Sequence, residues 1–536
     1  MTGTACPVVL IVRDGWGFNP HPEHDAFNAV KLARTPACER LLSRFPWTLI
    51  RTSGEDVGLD KGMMGNSEVG HQNLGAGRIV DQESMRITRA IRDSSFFENE
   101  LLVRAVQSAK QANRTVHVMG IASDAGVHGL LLHLYACLEL CQYQECPHVA
   151  LHLFTDGRDS GPFTGKGYIR EIENHCGHLG VGRIASICGR YFAMDRDYRW
   201  ERVQRAYQLL TGEVGGSSFD TAEAALQSYY DHPNNDSQQG DEFVPPSTIG
   251  APCPVVSGDT VIFFNYRGDR PRQLTRAFMQ PQFYGNVPPS PESGERGFPR
   301  PNPLDIRFVC MAVYDKTFSE FPNLSVAFEK PLPMADITGG YLADHGHTQF
   351  RCAETEKFPH VTFFFNDYRE PPFSGEVRAM AQSPKVATYD LEPQMSAAVV
   401  CDLVLRRLSA EDCENFILVN FANADMVGHT GKLDAAICAV ETVDKCVGRI
   451  VEATLARGGK LIVTADHGNS EQMWDPQTQS PHTAHTLFAV ECILADPTLD
   501  RATRLCRDGR LADVLPTALK FMGLDKPETM TGSPLF

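Results

Sequence analysis

The sequence lacks an uninterrupted apolar run near the roughly 18 residues that a membrane-spanning helix needs. It also lacks a basic leader: it begins MTGTACPVVLIVRDGWG, and the short apolar run ends in Arg-Asp instead of a small-residue cleavage site. Secretory signal peptides combine both of these missing features. We therefore expect no membrane partner, no signal peptide and a cytoplasmic protein.

Paired cysteines are missing as well. The chain has 16 cysteines, but none of them form a Cys-x-x-Cys pair, the spacing typical of redox motifs and zinc sites. Cys137 and Cys141, in YACLELC, suit helix packing better than metal ligation. Without an export signal, we expect free thiols and not disulfides.

The common nucleotide-binding signatures are absent too. DGWG (14–17) is not a GxGxxG fingerprint, and GPFTGKG (161–167) is one residue short of a P-loop and ends in Gly167 where Ser or Thr is required. We therefore expect no ATP site. The net charge of −16 argues against a nucleic-acid partner, which usually meets a basic patch. It does not exclude a small anionic substrate, because a local arginine cluster can lie in an acidic protein.

The sequence does contain short β-rich runs that end in aspartate. PVVLIV (7–12), NFILVNFANAD (415–425) and KLIVTAD (460–466) are rich in Val, Ile and Leu, as in strands buried on both faces of a parallel sheet. They lead to Asp14, Asp425 and Asp466. Ligands of open α/β sheets gather beyond the carboxyl ends of strands. One aspartate there is commonly a turn or cap residue, but three with histidines nearby indicate a site.

A second group of strand-like runs lies between residues 115 and 315, and helical patterns cover 26–45 and 433–459. Together these patterns predict an α/β protein with two sheets, and the length of 536 residues allows two to four domains. The polar segment 232–254 and the proline-rich segment 281–303 are expected to be loops or connectors.

Ligand-type residues form three clusters. Asp425 and His429 are four apart in NADMVGHTG, so one helical turn would present both on one face. The other clusters are Asp466-His467 in TADHGNSEQ, and His482 and His485 in PHTAHT. A lone Asp-His pair is commonly a structural hydrogen bond. Three clusters favour a metal site, and carboxylate with imidazole suits Mn²⁺ or Zn²⁺ better than Mg²⁺. The ligands suffice for two ions, as in many phosphoryl-transfer enzymes.

Ser67 lies in KGMMGNSEVGHQNLGAG (61–77), a stretch with five glycines and no helix stripe. The simplest interpretation is a surface turn. Because no GxSxG elbow is present to activate Ser67, a metal-stabilised alkoxide is the alternative. We expect a glycine-rich loop that brings Ser67 to the ions.

Arginines concentrate in short polar motifs after the second group of strand-like runs. Guanidinium groups match phosphate and carboxylate geometry, although Arg-Asp neighbours also suit surface salt bridges. We expect them to converge on one crevice. The motifs TDGRDSGP, CGRYFAMDRDYRW and NYRGDRPR contain Arg158, Arg190, Arg196, Arg267 and Arg270. His128 and Asp159 are candidates for moving protons, and Lys357, expected before another apolar strand, faces either a phosphate or solvent.

Taken in order, these motifs resemble the signatures of cofactor-independent (2,3-bisphosphoglycerate-independent) phosphoglycerate mutases, from residue 8 to about 534. The matching stretches are VRDGWG, MGNSEVGHQNLGAGRIV, SDAGVH, DGRDSGP, GRYFAMDRDYRWER, NYRGDR, AETEKFPHVTFFF, ATYDLEPQMSA, NFANADMVGHTG, TADHGNSEQM and PHTAHT. The resemblance implies an alkaline-phosphatase-like domain (1–80 and 317–536) with an inserted α/β transferase domain (81–316).

The resemblance also implies an activity: phosphoryl transfer between 3- and 2-phosphoglycerate through phosphoserine at Ser67, with no bisphosphoglycerate. It implies a monomer with two Mn²⁺ ions, Mg²⁺ or Co²⁺ being alternatives. One ion would take Asp425, His429 and His485, and the other Asp14, Ser67, Asp466 and His467. Lys357 would contact the transferring phosphoryl group, Asp159 would shuttle a proton, and the glycerate would be held by His128, Arg158, Asp159, Arg190, Arg196, Arg267 and Arg270.

The chain departs from the family pattern in places. Arg13 precedes Asp14 where an apolar residue is usual, Asn366-Asp367 stands where two glycines are usual, and the 232–254 and 281–303 segments look unusual. Two other functions remain open: another metal-dependent phosphatase, sulfatase or phosphopentomutase on the same core, or a non-catalytic metal-binding scaffold.

Overall fold

The structure is a computed structural model that describes residues 6–213, 217–300 and 303–536. The chain divides into two compact units, Met1–Gln82 with Leu332–Phe536 and Glu83–Pro331. The functions expected of the two segments stay predictions.

The strands formed by the described residues are, in chain order, β1 (Val8–Arg13), β2 (Trp47–Arg51), β3 (Val116–Ala122), β4 (Val149–Thr155), β5 (Arg183–Gly189), β6 (Ser217–Phe219), β7 (Ser247–Ile249), β8 (Thr260–Phe263), β9 (Arg307–Ala312), β10 (Leu324–Phe328), β11 (Gln349–Glu354), β12 (Glu376–Ala381), β13 (Phe416–Phe421), β14 (Lys460–Thr464), β15 (Trp474–Asp475), β16 (Ser480–Pro481), β17 (Val490–Ala495) and β18 (Gly509–Arg510).

The α-helices are α1 (Ala29–Leu32), α2 (Pro36–Arg44), α3 (Ser67–Ala76), α4 (Glu83–Arg92), α5 (Glu100–Gln111), α6 (Leu131–Tyr143), α7 (Gly165–Leu179), α8 (Arg190–Ala193), α9 (Trp200–Thr211), α10 (Ala222–Asp231), α11 (Pro271–Met279), α12 (Thr338–Asp344), α13 (Ala397–Ser409), α14 (Asn423–Gly428), α15 (Leu433–Ala456) and α16 (Val514–Met522). Short 3₁₀ turns cover Pro22–Phe27, Gly54–Val57, Ser95–Glu98, Asp241–Phe243, Lys316–Glu320, Thr355–Lys357, Tyr389–Leu391 and Leu511–Asp513, and a π-helical turn covers His360–Phe364.

The first unit is built on a mixed sheet with strand order β12-β11-β13-β1-β14-β17-β2-β18. β1 is parallel to β13 and β14, with Val8 opposite Phe416 and Lys460, and β11 is parallel to β13. Only β17, among the described strands of this sheet, runs antiparallel to its neighbours. Every residue of β1 is buried, which explains its unbroken apolar pattern. The carboxyl ends of β11, β13, β1 and β14 therefore lie side by side.

The predicted helix over 26–45 was wrong as a single element, because the structure divides it into a 3₁₀ turn, α1 and α2. Pro36 begins α2, and proline cannot donate the backbone hydrogen bond that would continue a helix through it. The helix predicted over 433–459 is confirmed as α15, which is followed by Gly458 at a φ of +75°.

The second unit has its own mixed sheet, in the order β10-β9-β8-β3-β4-β5-β7-β6. The strands from β10 to β5 pair in parallel, whereas β7 is antiparallel to β5. Two sheets with interleaved helices confirm the α/β prediction.

The two segments expected to be connectors are anchored to the second unit. In 281–303, Phe283, Val287 and Phe298 are buried in its core, while residues 301 and 302 lie outside the described part. In 232–254, the 3₁₀ turn Asp241–Phe243 is followed by β7. These segments are therefore packed parts of the fold as well as connections.

All 16 cysteines, each within the described residues, are free, and Cys137 and Cys141 are buried in α6. The prediction of free thiols is confirmed. Among the described residues, no helix combines the length and apolarity that crossing a bilayer requires.

Candidate functional site

Neighbouring strand ends of the first unit bring its charged residues together. Asp14 follows β1, Asp466 and His467 follow β14, and Asp425 lies in α14 directly after β13. The carboxylates of Asp14, Asp425 and Asp466 are all buried. Burying several carboxylates is costly unless cations or hydrogen bonds compensate them, so this edge of the sheet is built to hold positive charge.

Ser67 does not lie in a loop as predicted, because it is the first residue of α3. The helix is buried on all sides from Val69 to Ala76, so it has no amphipathic stripe that the sequence could reveal. Its glycines permit close packing: a Cβ at Gly70 would lie 2.8 Å from the Cβ of Asp466, and one at Gly75 would lie 2.1 Å from the carbonyl oxygen of Phe365. Asn66 caps the helix by accepting a hydrogen bond from the backbone N–H of Val69.

The hydroxyl of Ser67 is at the centre of the cluster. Its Oγ lies 2.9 Å from Nε2 of His467 and 3.3 Å from Oδ1 of Asp14. The serine is buried and stands at a helix N-terminus, where the helix dipole and free N–H groups favour negative charge. This position suits an oxygen that becomes anionic or carries a phosphoryl group.

Lys357 lies between the serine and the carboxylates. Its Nζ donates to Ser67 Oγ at 2.6 Å, to Asp14 Oδ1 at 2.8 Å and to Asp425 Oδ2 at 2.6 Å. Although burial alone would lower it, the neighbouring Asp14 and Asp425 raise the pKa of Lys357 above its usual value. The expectation of a strand after Lys357 was wrong, because Pro359 leads into the π-helical turn His360–Phe364; proline favours the start of a helix.

Three histidines, His429, His467 and His485, surround the carboxylates. Nε2 of His429 and of His485 lie 3.2 Å and 3.1 Å from Asp425 Oδ1, so the i, i+4 pairing predicted from the sequence is present. Their Nδ1 atoms face the carbonyl oxygens of Thr483 and Gly65, which turns both Nε2 atoms inward, as is usual for metal-binding histidines. His482 does not join them: its Nδ1 has no hydrogen-bond partner among the described residues, and its backbone N–H donates to the carbonyl oxygen of Met473 at 3.0 Å.

The donor atoms fit divalent cations. Two groups have ligand atoms within 4.8 Å of one another, namely Asp425, His467 and His485, and Asp14, Asp466 and His467. Oδ2 of Asp466 is buried and faces Nδ1 of His71 at 3.3 Å, without a hydrogen bond of good geometry among the described residues, so it can take a further partner such as a cation. Mixed carboxylate and imidazole donors suit Mn²⁺ and similar ions.

The pKa shifts follow from this crowding. Burial, with help from the Asp466 carboxylate, raises the pKa of Asp14 to about 7. Burial would also raise the pKa of Asp425, but Lys357 and His429 hold it well below its usual range. Burial lowers the pKa of His467 to about 4, so its imidazole is neutral at pH 7, as a metal ligand must be.

A buried glutamate that was not predicted from the sequence supports this site. Oε2 of Glu471 accepts hydrogen bonds from the N–H groups of Gly17 and Asn469, and its Oε1 accepts one from the hydroxyl of Thr486. It thereby joins the loops after Asp14, after Asp466 and around His485. The close spacing to His467 in TADHGNSEQ was the only signal, and it resembles an ordinary loop carboxylate.

His71 and Asn420 were missed in the same way. Nδ1 of His71 lies 2.8 Å from the carbonyl oxygen of Ser67, and Nδ2 of Asn420 lies 3.1 Å from Nε2 of His71 and 2.7 Å from Asp14 Oδ2. These buried contacts orient the serine and the aspartate.

The second unit has a separate charged cluster at the ends of β4 and β5. Arg190 begins α8 and is buried, and its Nη1 donates to Asp156 and Asp159. Asp156 was not predicted from the sequence, although it opens the DGRD motif. Its Oδ1 also accepts from the N–H groups of Arg158 and Asp159, and its Oδ2 accepts from Ser123. Asp156 therefore shapes the loop that carries Arg158 and Asp159.

His128 lies beside this loop. Its Nε2 is 3.6 Å from Asp159 Oδ2 and its Nδ1 is 3.6 Å from Asp269 Oδ1. Burial, reinforced by the charge of Arg190, lowers the pKa of His128 to about 4. Asp269, a further residue that was not predicted from the sequence, also pairs with Arg196 at 3.0 Å and Arg267 at 3.2 Å.

Arg270 and Arg158 complete the cluster. Nη1 of Arg270 donates to the carbonyl oxygen of Met194. Burial lowers the pKa of Arg270, and the positive charges of Arg190, Arg196 and Arg158 lower it further. The arginines expected to converge therefore do so within this unit, and their mutual repulsion favours binding of an anion.

The departures from the family pattern are accommodated locally. Arg13 is buried and its Nη2 pairs with Glu491 Oε2 at 3.2 Å, with its guanidinium 4.5 Å from the centre of the Trp16 ring. Asp367 adopts a φ of +52°, the left-handed conformation that glycine favours, and accepts hydrogen bonds from Gln72 and Met334.

Comparison with known proteins identifies the family. The Metalloenzyme superfamily matches residues 6–526. The 2,3-bisphosphoglycerate-independent phosphoglycerate mutase of Rhodopirellula baltica is 51% identical to the chain, and the match covers 99% of this chain and 97% of that protein. The enzyme of the same name from Moorella thermoacetica is 48% identical, and the match covers 99% of this chain and 98% of that protein. The chain belongs to the 2,3-bisphosphoglycerate-independent phosphoglycerate mutase family. A crystal structure of phosphoglycerate mutase from Leishmania mexicana at low cobalt concentration is 29% identical, has a TM-score of 0.59, and the match covers 99% of this chain and 98% of that one.

Membership of the mutase family confirms the resemblance found in the sequence. The superfamily match and the two ligand groups together indicate that the protein uses divalent metal.

Proposed function

We propose that this protein interconverts 3-phosphoglycerate and 2-phosphoglycerate through a phosphoserine at Ser67, without bisphosphoglycerate. The observation that carries the proposal is the position of Ser67 Oγ, which lies within 3.3 Å of Lys357, His467 and Asp14 in a chain of the mutase family. Phosphoryl transfer needs positioning and neutralisation of charge more than covalent chemistry, and this site offers both.

Two Mn²⁺ ions are proposed for the first unit, with Mg²⁺ and Co²⁺ as alternatives. When bound, such ions polarise phosphoryl oxygens and stabilise a serine alkoxide. One would be held by Asp425, His429 and His485, and the other by Asp14, Ser67, Asp466 and His467.

Ser67 is proposed as the nucleophile. Its Oγ loses its proton and attacks phosphorus, the bond to the substrate oxygen breaks, and that oxygen takes up a proton; the phosphoryl group then returns from Ser67 to the other hydroxyl of the glycerate, which loses its proton, and the serine oxygen is reprotonated. The ammonium of Lys357 donates to Oγ at 2.6 Å and would neutralise charge on the transferring oxygens.

The cluster of the second unit is proposed to hold the glycerate, through His128, Arg158, Asp159, Arg190, Arg196, Arg267 and Arg270. Retention matters because release of glycerate from the phosphorylated enzyme would convert a mutase into a phosphatase. Asp159 is proposed to carry the proton between the two hydroxyls; its Oδ2 lies 3.6 Å from Nε2 of His128.

The test is a coupled assay in which enolase consumes 2-phosphoglycerate, run with 3-phosphoglycerate and no added bisphosphoglycerate. Metal analysis of the purified protein, chelation, and readdition of Mn²⁺, Mg²⁺ or Co²⁺ would identify the ion. Formation of 2-phosphoglycerate is expected. Release of phosphate without 2-phosphoglycerate would indicate a phosphatase, and neither product would indicate a scaffold. Size-exclusion chromatography tests the expected monomer.

A further inference from the structure

The 3₁₀ turn Asp241–Phe243, in the segment 232–254, lies against the loops of the arginine cluster. Oε1 of Glu242 is 3.4 Å from Nη1 of Arg158. The two side chains differ in exposure: Glu242 is 18% exposed and Arg158 is 53% exposed. A largely buried carboxylate therefore holds a guanidinium that otherwise faces solvent.

Glycines of the arginine-bearing loops make room for this turn. A Cβ at Gly189, directly before Arg190, would lie 2.1 Å from the carbonyl oxygen of Glu242, and one at Gly157, directly before Arg158, would lie 2.7 Å from its nitrogen. Real Cβ atoms do not approach backbone so closely. The glycines in the DGRD and GRY motifs thus permit Glu242 to approach both loops.

Asp241 fixes the turn in place. Its buried carboxylate accepts hydrogen bonds from the N–H of Gly165 at 2.7 Å and from the hydroxyl of Tyr230, and its carbonyl oxygen accepts one from Thr155 Oγ1 at 2.7 Å. Thr155 is the last residue of β4, so the turn is tied to the strand end that leads to Arg158.

The charges explain why Arg158 needs an anchor. The other arginines have their own carboxylates or carbonyl partners: Arg190 pairs with Asp156 and Asp159, and Arg196 and Arg267 pair with Asp269. The positive charge of Arg158 is close enough to Arg270 to lower its pKa. Among the described residues, the ion pair that opposes this repulsion at Arg158 is the one with Glu242.

We propose that Glu242 is a positioning residue for substrate binding, which holds the Arg158 guanidinium over the anion-binding cluster. The proposal rests on the proposed function, in which Arg158 contacts the glycerate. Without Glu242, Arg158 turns toward solvent, the substrate binds less tightly, and glycerate escapes more often from the phosphorylated enzyme.

The test is a double-mutant cycle on the full chain, using the enolase-coupled assay with 3-phosphoglycerate. Glu242→Ala should raise KM about three- to fivefold, change kcat less than about twofold, and raise the ratio of phosphate release to 2-phosphoglycerate formation. Glu242→Gln keeps an oxygen acceptor and should restore part of the loss. In an Arg158→Ala background, Glu242→Ala should leave KM within about twofold, because residues that act through one another are not additive.

The matched control is Glu223→Ala, which breaks the exposed Arg170–Glu223 ion pair of the same unit and should leave KM and the product ratio unchanged. If Glu242→Ala lowered KM both in the unaltered chain and in the Arg158→Ala variant, the proposal would be overturned. That result would show that the carboxylate of Glu242 only repels the anionic substrate and does not position Arg158. An unchanged KM or an additive cycle would overturn it while leaving the mutase function intact. Absence of 2-phosphoglycerate from the unaltered protein would overturn both. If Glu242→Ala folds poorly, the same cycle with Glu242→Gln decides the matter.

Discussion

Nζ of Lys357 lies 2.6 Å from Oγ of Ser67, and both residues are buried. The lysine is thus the positive group in direct contact with the proposed nucleophile, and its charge is also shared with Asp14 and Asp425.

Lys357→Met should lower kcat by about a hundredfold or more, because a donor aimed at the charge of the transition state is lost. It should also destabilise the metal-free protein by about 3 kcal/mol, since buried carboxylates lose their partner. Urea unfolding with and without Mn²⁺ checks this second effect, and Mn²⁺ should recover part of the stability. Lys445→Met, at an exposed position of α15, is the control. Equal losses of kcat and of stability in both variants would show that Lys357 does not stabilise the transition state or the buried carboxylates.

Ser67→Ala should lower mutase turnover more than about a thousandfold, because alanine has no hydroxyl oxygen to which the phosphoryl group can bond. Metal binding should persist in part, since the histidines and carboxylates remain. Turnover is measured by the coupled assay and bound Mn²⁺ by elemental analysis, with Ser409→Ala, on the exposed end of α13, for comparison. Turnover near that of the unaltered protein would exclude Ser67 as the phosphoryl acceptor.

Arg270→Ala should raise KM about tenfold, because a charged hydrogen-bond donor to the substrate is lost. The ratio of phosphate release to 2-phosphoglycerate formation should rise as well, since the glycerate is held less firmly. Arg272→Ala alters the first turn of α11, the helix that Arg270 directly precedes, at a more exposed side chain that pairs with Asp315, and should leave the ratio unchanged. If both variants give the same ratio of phosphate release to 2-phosphoglycerate formation, Arg270 does not help to retain the glycerate.

The buried carboxyl group of Glu354 leads us to expect that the stability of the protein depends on pH. Burial raises its pKa from 4.5 to about 7, and its Oε1 has no hydrogen-bond partner among the described residues. Between these values the unfolded chain has released the proton while the folded chain retains it. The contribution of Glu354 to stability is therefore present below pH 4.5 and is lost as pH rises toward 7.

Glu354→Gln removes this loss. The variant should gain stability relative to the unaltered protein as pH rises from 5 to 8, by up to about 3 kcal/mol, measured by urea unfolding across that range. Glu411→Gln, at an exposed position, controls for removal of a surface charge. A stability difference that does not change with pH would show that the carboxyl is not the titrating group.

The metal cluster was largely predictable, because its residues follow strands with unbroken apolar patterns. Asp14, Asp425 and Asp466 could be aligned once the strands were assumed parallel, and the spacing of Asp425 and His429 predicted a shared helical face. Helix α3 could not be predicted, because a helix buried on every side has no 3.6-residue stripe.

The roles of the supporting carboxylates could not be predicted from the sequence either. Asp156, Asp269 and Glu471 stand in loops where aspartate and glutamate commonly cap turns. Their importance follows from which distant loops they contact, and this depends on tertiary packing. Glu242 was hidden for the same reason, inside a segment whose composition indicates only a connector.

The contacts of Glu471 make the ligand loops mechanically interdependent. Because one side chain accepts from Gly17, Asn469 and Thr486, opening any of these loops breaks a hydrogen bond to a carboxylate that also anchors the other two. The amides of Gly17 and Asn469 should exchange hydrogen together, as one cooperative unit. Loosening the loop after Asp14 should therefore also weaken the anchoring of the loop around His485, so we expect the geometry of the centre to respond as one unit.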